Sequence, residues 1–169
     1  MCIRDRAYFV TVLKAIHDVT RFHCGTPVLD AWLQTTARQH QRHGAARTFV
    51  LVDEADPTEI IGYFSLAIRS MTPREAIPVA MMKKLPGNVP GFTLARLAVA
   101  QRHQRRGFGA LLLVAAMKRV KAVAADVGGF ALFVDAKEPQ GTQFYQQYGF
   151  TPLPDDPLTM LLPIADIPH

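Results

Sequence analysis

Cysteine is almost missing: 169 residues contain two, Cys2 and Cys24. No disulfide framework can brace such a chain, so its stability has to come from a packed core. Long apolar runs are missing as well. The run GALLLVAAM is closed by Lys118 and Arg119, well short of the roughly 20 apolar residues that a membrane helix needs. The first residues lack the basic-then-apolar layout of a secretory signal. Acidic residues are the scarcer charge, 14 against 19 lysines and arginines, for a net charge of +5, which makes a polyanionic partner a natural candidate. A soluble protein of the reducing cytosol is expected, with no membrane partner.

What is plentiful is apolar surface. With 49% hydrophobic residues in a chain of 169, one domain can bury a sizeable core, and residues 1–169 are expected to form a single domain. The opening MCIRDR, residues 1–6, reads as a non-native assembly scar and carries no weight in the fold argument. Thr26 before Pro27 predicts a helix start capped by the threonine hydroxyl, continued by Val28, Leu29, Trp32, Leu33 and Ala37 at helical spacing and closed by Gly44. RTFVLVDEADPTEIIGYFSLAIRS predicts two strands joined by an acidic turn. The following stretch, PREAIPVAMMKKLPGNVPG, is interrupted by prolines and reads as a short helix with loops. FTLARLAVA is a strand, GALLLVAAMKRVKAVAADV a helix ended by Gly128 and Gly129, and FALFVDA a strand. A short helix over GTQFYQQYG and a last strand, TMLLPI, complete a mixed α/β pattern.

The chemistry concentrates where the strand RLAVA becomes the helix GALLLVAAM. Between them stand Arg102, Arg105, Arg106, His103, Gln101 and Gln104. The first amides of a helix have no partner within it and lie at the positive end of its dipole, so this corner favours an anion. Gly107 and Gly109 let phosphate oxygens approach the backbone. The pattern Gln104-x-x-Gly107-x-Gly109-Ala110 is neither a P-loop, which ends in Gly-Lys-Ser/Thr, nor a dinucleotide fingerprint, which has a third glycine.

RLAVAQRHQRRGFGALLL resembles the acyl-CoA-binding segment of the GNAT acetyltransferases. The resemblance implies a single GNAT-like α/β domain: a mixed, mostly antiparallel twisted sheet, helices on both faces, and a splayed central strand pair at the acyl-CoA site. It implies that Leu97 and Val99 offer backbone groups to the pantetheine and acetyl parts of acetyl-CoA. Gln104, Arg105, Arg106, Gly107, Phe108, Gly109 and Ala110 would form the pyrophosphate turn. QFYQQYGF, Gln143 to Phe150, is similar to the segment whose tyrosine faces the thioester sulfur. More narrowly, HDVTRFHCGTPVLDAWLQTTARQHQRHGAARTFVL and FYQQYGFTPLPDDPLTMLLPI resemble the two ends of the GNAT toxins of bacterial toxin–antitoxin pairs, with no gap in the pattern from His17 to Ile164. Members of that group acetylate the α-amine of aminoacyl-tRNA, block translation, and are neutralised by a ribbon-helix-helix antitoxin. A homodimer stays open.

Acetyl transfer needs a neutral amine, a polarised thioester carbonyl and a proton for the leaving thiolate. A backbone amide at the splayed end of the Val99 strand suits the carbonyl. A phenol with a pKa near ~10 is a protonated donor at neutral pH, and Tyr145 is preferred over Tyr148 mainly because the resemblance implies it, and also because it stands nearer the helix start. No general base stands out; Asp135 and Glu138 have no motif around them. An α-amine with a pKa near ~7.7–8.0 is partly neutral without one. Arg38, Arg42, Arg47 and Arg96 are the candidates for contact with tRNA, although RQHQRHGAAR reads equally as a solvated helix end. His40, His43 and Cys24 read as surface residues rather than metal ligands, so no metal is expected, and Trp32 reads as core. Two alternatives stay open: acetylation of a small amine, antibiotic or protein N-terminus, and a non-enzymatic module that binds acyl-CoA or a partner.

Overall fold

The structure is a computed structural model and describes residues 7–136 and 139–169. The MCIRDR segment and Glu138 lie outside the described residues.

The strands form a seven-stranded sheet in the order β1-β2-β3-β4-β5-β7-β6: β1 Tyr8–Val12, β2 Arg47–Asp53, β3 Gly62–Pro73, β4 Asn88–Val99, β5 Ala131–Asp135, β6 Thr151–Leu153 and β7 Asp156–Pro163. Helices α1 Pro27–Thr35 and α2 Ala37–Arg42 precede β2; α3 Phe108–Val127 and α4 Pro139–Gln146 flank β5. Pairing is antiparallel for β1–β2, β2–β3, β5–β7 and β6–β7, and parallel for β4–β5. The expected mixed, mostly antiparallel sheet is therefore present. The chain divides into two compact units, one running to Ala67 and including Arg96–Ala116, the other comprising Ile68–Ala95 and Met117–His169.

In the first unit, β2 is a run of β-branched and aromatic residues that buries Thr48 to Val52 on both faces, as an interior strand does. Its core joins Leu13, Phe22, Trp32, Leu33, Val50, Val52, Tyr63 and Ala98. The Tyr63 hydroxyl donates to the Leu29 carbonyl at 2.8 Å, which satisfies the one polar atom of that fully buried ring. In the second unit, Ile77, Val89, Ala131, Phe133, Leu153 and Leu161 pack together. Parallel pairing there runs from Gly91 opposite Ala131 to Leu94 opposite Val134, while β4 continues to Val99. Gly91 is required for this approach, because a Cβ would lie 2.8 Å from the Ala131 carbonyl oxygen.

Several sequence expectations need correction. The helix expected from Pro27 to Gly44 is two helices, broken at Thr36 with φ −123° and ψ −33°. Thr35 and Thr36 are adjacent β-branched residues, and the Thr35 hydroxyl donates back to the Ala31 carbonyl at 2.7 Å, which loosens the helix there. Thr26 is the N-cap residue, but its hydroxyl makes no capping bond. Instead its carbonyl accepts from Leu29 and Asp30, and the Asp30 carboxylate accepts from the Cys24 amide at 2.9 Å. The proline-interrupted stretch holds two short 3-10 turns, Arg74–Ala76 and Val79–Met81. Strands β1 and β6 were not expected. The last short helix starts at Pro139 rather than Gly141, since proline suits the first helical position.

Candidate functional site

The glycine turn is assembled by main-chain ties around the end of β4. The Ala100 amide donates to the Ile61 carbonyl and the Gln101 amide to the His23 carbonyl, each at 2.8 Å. A 3-10 turn, Gln101–His103, follows. The Gln104 carboxamide then donates to the carbonyls of Cys24 and Val99, both at 2.8 Å. This side chain of the expected cofactor set is thus committed to holding the turn in place.

Arg105 and Gly107 both adopt left-handed backbone, with φ of 65° and 84°. For the arginine this costs about 1–2 kcal/mol, a cost that persists only when surrounding structure imposes it. Two left-handed residues with one residue between them bend the backbone sharply just ahead of the helix. Helix α3 begins at Phe108, and the Leu111 amide donates to the Gly107 carbonyl at 3.1 Å. The amides of Phe108, Gly109 and Ala110 therefore lie ahead of the helical ladder. At Gly107 a Cβ would meet nothing within 4 Å, so open space adjoins the backbone. Arg105 and Arg106 are exposed beside it. The Phe108 ring is buried and packs edge-on against Tyr8, with centroids 5.0 Å apart, so Phe108 anchors the helix start and only its amide faces the turn's function.

Of the four candidate RNA contacts, Arg42 and Arg47 are exposed. Arg38 is half-buried, and its guanidinium donates to the carbonyls of Lys14 and His17 at 3.0 and 2.8 Å. The Arg96 guanidinium carbon lies over the Trp32 ring, 4.0 Å from its centroid, and burial holds its pKa below the usual range. Trp32 is in the core as expected, stacked on Tyr63, and it also carries this cation. His40 meets the Trp32 ring edge-on. Among the described residues no three His, Cys, Asp or Glu side chains are grouped to hold a metal, and no helix is long and apolar enough to cross a membrane.

In the second unit, Tyr145 lies in the last turn of α4, with Phe144 and Phe150 edge-on to it at 5.2 and 5.6 Å. Burial pushes its phenol up to about 12. Tyr148 is beyond the end of the helix, in the turn where its amide donates to the Tyr145 carbonyl. The expectation that Tyr145 stands near the helix start is corrected accordingly: it lies in the last turn of α4, and Tyr148 follows the helix. Asp135, at the end of β5, accepts from the Thr159 hydroxyl at 2.9 Å and stands 3.8 Å from Arg69. His103 stood in the basic corner that the sequence singled out without a role of its own, and Glu59 beside it gave no signal in the sequence. They contact across 44 positions of sequence, with no motif at Glu59 to suggest it.

Residues 44–152 match the acetyltransferase (GNAT) domain. The tRNA-acetylating toxin of Mycobacterium tuberculosis (strain ATCC 25618 / H37Rv) is 34% identical over 149 residues, 88% of this chain and 87% of its own length. Among solved structures, AtaT complexed with acetyl-methionyl-tRNAfMet superimposes with a TM-score of 0.88 at 31% identity, covering 95% of this chain and 97% of that one. A Tyr-to-Phe mutant of AtaT bound to the C-terminus of the antitoxin AtaR and acetyl-CoA gives 0.81 at 28% identity, covering 95% of each chain. The left-handed glycine turn that opens a long helix after β4, and a match extending well beyond that turn, lead to one assignment: the chain belongs to the GNAT acetyltransferase family.

Proposed function

We propose that this protein is an acetyl-CoA-dependent N-acetyltransferase that acetylates the α-amine of aminoacyl-tRNA in the cytosol. In this reading it is the translation-blocking toxin of a toxin–antitoxin pair, restrained by a ribbon-helix-helix antitoxin. The observation that carries the reading is the likeness along 95% of the chain to AtaT complexed with acetyl-methionyl-tRNAfMet.

The residues present fit the acetyl donor, since the space at Gly107 and the unladdered amides of Phe108, Gly109 and Ala110 suit phosphate oxygens. Bound acetyl-CoA supplies an activated thioester. The turn residues Arg105 and Arg106 add positive charge for the pyrophosphate, and Gln104 keeps the turn in register with β4. Leu97 and Val99 carry the backbone groups for the pantetheine arm. Tyr145 is the proton donor to the leaving thiolate: its raised pKa keeps the phenol protonated at any physiological pH, and the surrounding rings limit access of water. Transfer is direct from thioester to amine, and because a substrate α-amine is already partly neutral near pH 7.5 the attack needs no dedicated base.

The test is incubation of the purified protein with isotopically labelled acetyl-CoA and total aminoacyl-tRNA, followed by mass spectrometry of the aminoacyl ends. Label on the α-amine of the esterified amino acid is the expected result. Label on polyamines or protein N-termini, with aminoacyl-tRNA untouched, would replace this reading with a small-amine or N-terminal acetyltransferase.

A further inference from the structure

We propose that Glu59 and His103 form a positioning relay that holds Arg106 at the glycine turn and so sets the affinity for acyl-CoA. The inference rests on the reading that this turn receives coenzyme A phosphates. His103 closes the 3-10 turn that precedes Gln104, and its side chain is 13% exposed. The Glu59 carboxylate, 18% exposed, approaches the His103 Nε2 at 2.7 Å. On the other side of the ring, Nδ1 lies 3.2 Å from an Arg106 guanidinium nitrogen. Edge-on contact with Phe108, centroids 6.2 Å apart, fixes the plane of the imidazole.

The proton positions follow from the partners. An ionised carboxylate is an acceptor only, so the nitrogen 2.7 Å from it carries the hydrogen. A guanidinium can only donate, so the 3.2 Å contact from Arg106 assigns Nδ1 the acceptor role. Arg102 also pairs with Glu59. Its Nε lies 3.3 Å from the same Nε2, but two N–H groups cannot bond each other, so Arg102 is placed there by the carboxylate rather than by the ring. The chain Glu59, His103, Arg106 thus runs acceptor, donor–acceptor, donor without a mismatch. Arg106 would otherwise be a long, exposed side chain with several rotamers to lose on meeting a phosphate. Fixing it beforehand lowers the entropic cost of binding.

Binding of acetyl-CoA, measured by calorimetry on the full-length protein, tests this through a double-mutant cycle. Arg106→Ala and His103→Phe, which keeps an aromatic ring against Phe108, should each weaken binding about tenfold, the scale of one lost charge-assisted hydrogen bond. In kinetics the His103→Phe loss should fall on KM for acetyl-CoA rather than on kcat. The double variant should bind no more weakly than Arg106→Ala alone. His103→Gln, whose carboxamide also offers one donor and one acceptor, should recover most of the affinity. Losses that add in the double variant, or wild-type affinity in His103→Phe, would overturn the relay while leaving the cofactor site intact. Wild-type affinity in Arg106→Ala would overturn the phosphate role of Arg106, and the relay with it. If His103→Phe does not fold, Glu59→Gln takes its place in the cycle. A loss in Glu59→Gln that vanishes in the Arg106→Ala background supports the relay, and one that persists there overturns it.

Discussion

Tyr145 is held in its protonated form across the physiological range, the form from which a general acid must start. Burial against Phe144 and Phe150 disfavours the phenolate and pushes the pKa up to about 12. Because the shift is upward, the active acid form is retained as pH rises. Turnover should therefore show no alkaline fall from this group between about pH 8 and 10, where an unperturbed tyrosine begins to ionise. Tyr145→Phe keeps the ring packing and removes the hydroxyl, and loss of a general acid is typically worth about 10²–10⁴-fold in rate. Stopped-flow or discontinuous assay of Tyr145→Phe should show that loss with acetyl-CoA affinity unchanged. A large loss in Tyr148→Phe with full activity in Tyr145→Phe would move the role to Tyr148. At this scale the sequence was only partly legible. Tyr145 stands in a segment similar to a known one, whereas Glu59 and His103 meet only through the fold.

The element that does most for the site is the start of α3, because it converts a strand end into a row of outward amides. Gly107 separates two contributions there. Its φ of 84° disfavours any side chain, yet a Cβ would meet nothing within 4 Å. Gly107→Ala should therefore cost about 1–2 kcal/mol of stability from backbone strain alone, read as a lowered thermal midpoint, and retain measurable acetyl-CoA binding. Gly107→Glu adds bulk and negative charge where a phosphate is expected and should abolish binding in calorimetry. Equal affinity in a folded Gly107→Glu variant would remove the turn from the cofactor site. This turn was legible because strand, basic corner, glycines and apolar helix are consecutive in sequence. So was the β2–β3 hairpin, two β-rich runs around an acidic turn. Strands β1 and β6 were not, since five and three residues are too few for periodicity to distinguish strand from helix. The break at Thr36 was hidden because the apolar spacing of Trp32, Leu33 and Ala37 continues across it.

Across the whole molecule the excess of positive charge is unevenly available. The concentration of charge at the end of the first long helix and on the strand entering the turn, together with the net positive balance, made Arg38, Arg42, Arg47 and Arg96 candidates alike, but their surroundings divide them. Arg38 is spent on two main-chain carbonyls and Arg96 on the Trp32 ring, while Arg42 and Arg47 are exposed. A phosphate contact made by an exposed arginine releases counterions, so each one lost should reduce the log–log salt slope of tRNA binding by about one unit. Arg42→Ala and Arg47→Ala should do this with stability and acetyl-CoA affinity unaltered. Arg38→Ala and Arg96→Ala should instead lower the thermal midpoint, because they remove contacts that tie Lys14, His17 and Trp32 into the first unit. Filter binding of aminoacyl-tRNA across a salt series, run beside thermal denaturation, checks both halves. If the slope is unchanged in Arg42→Ala and Arg47→Ala, the end of α2 is a solvated face, and the polynucleotide must be held elsewhere.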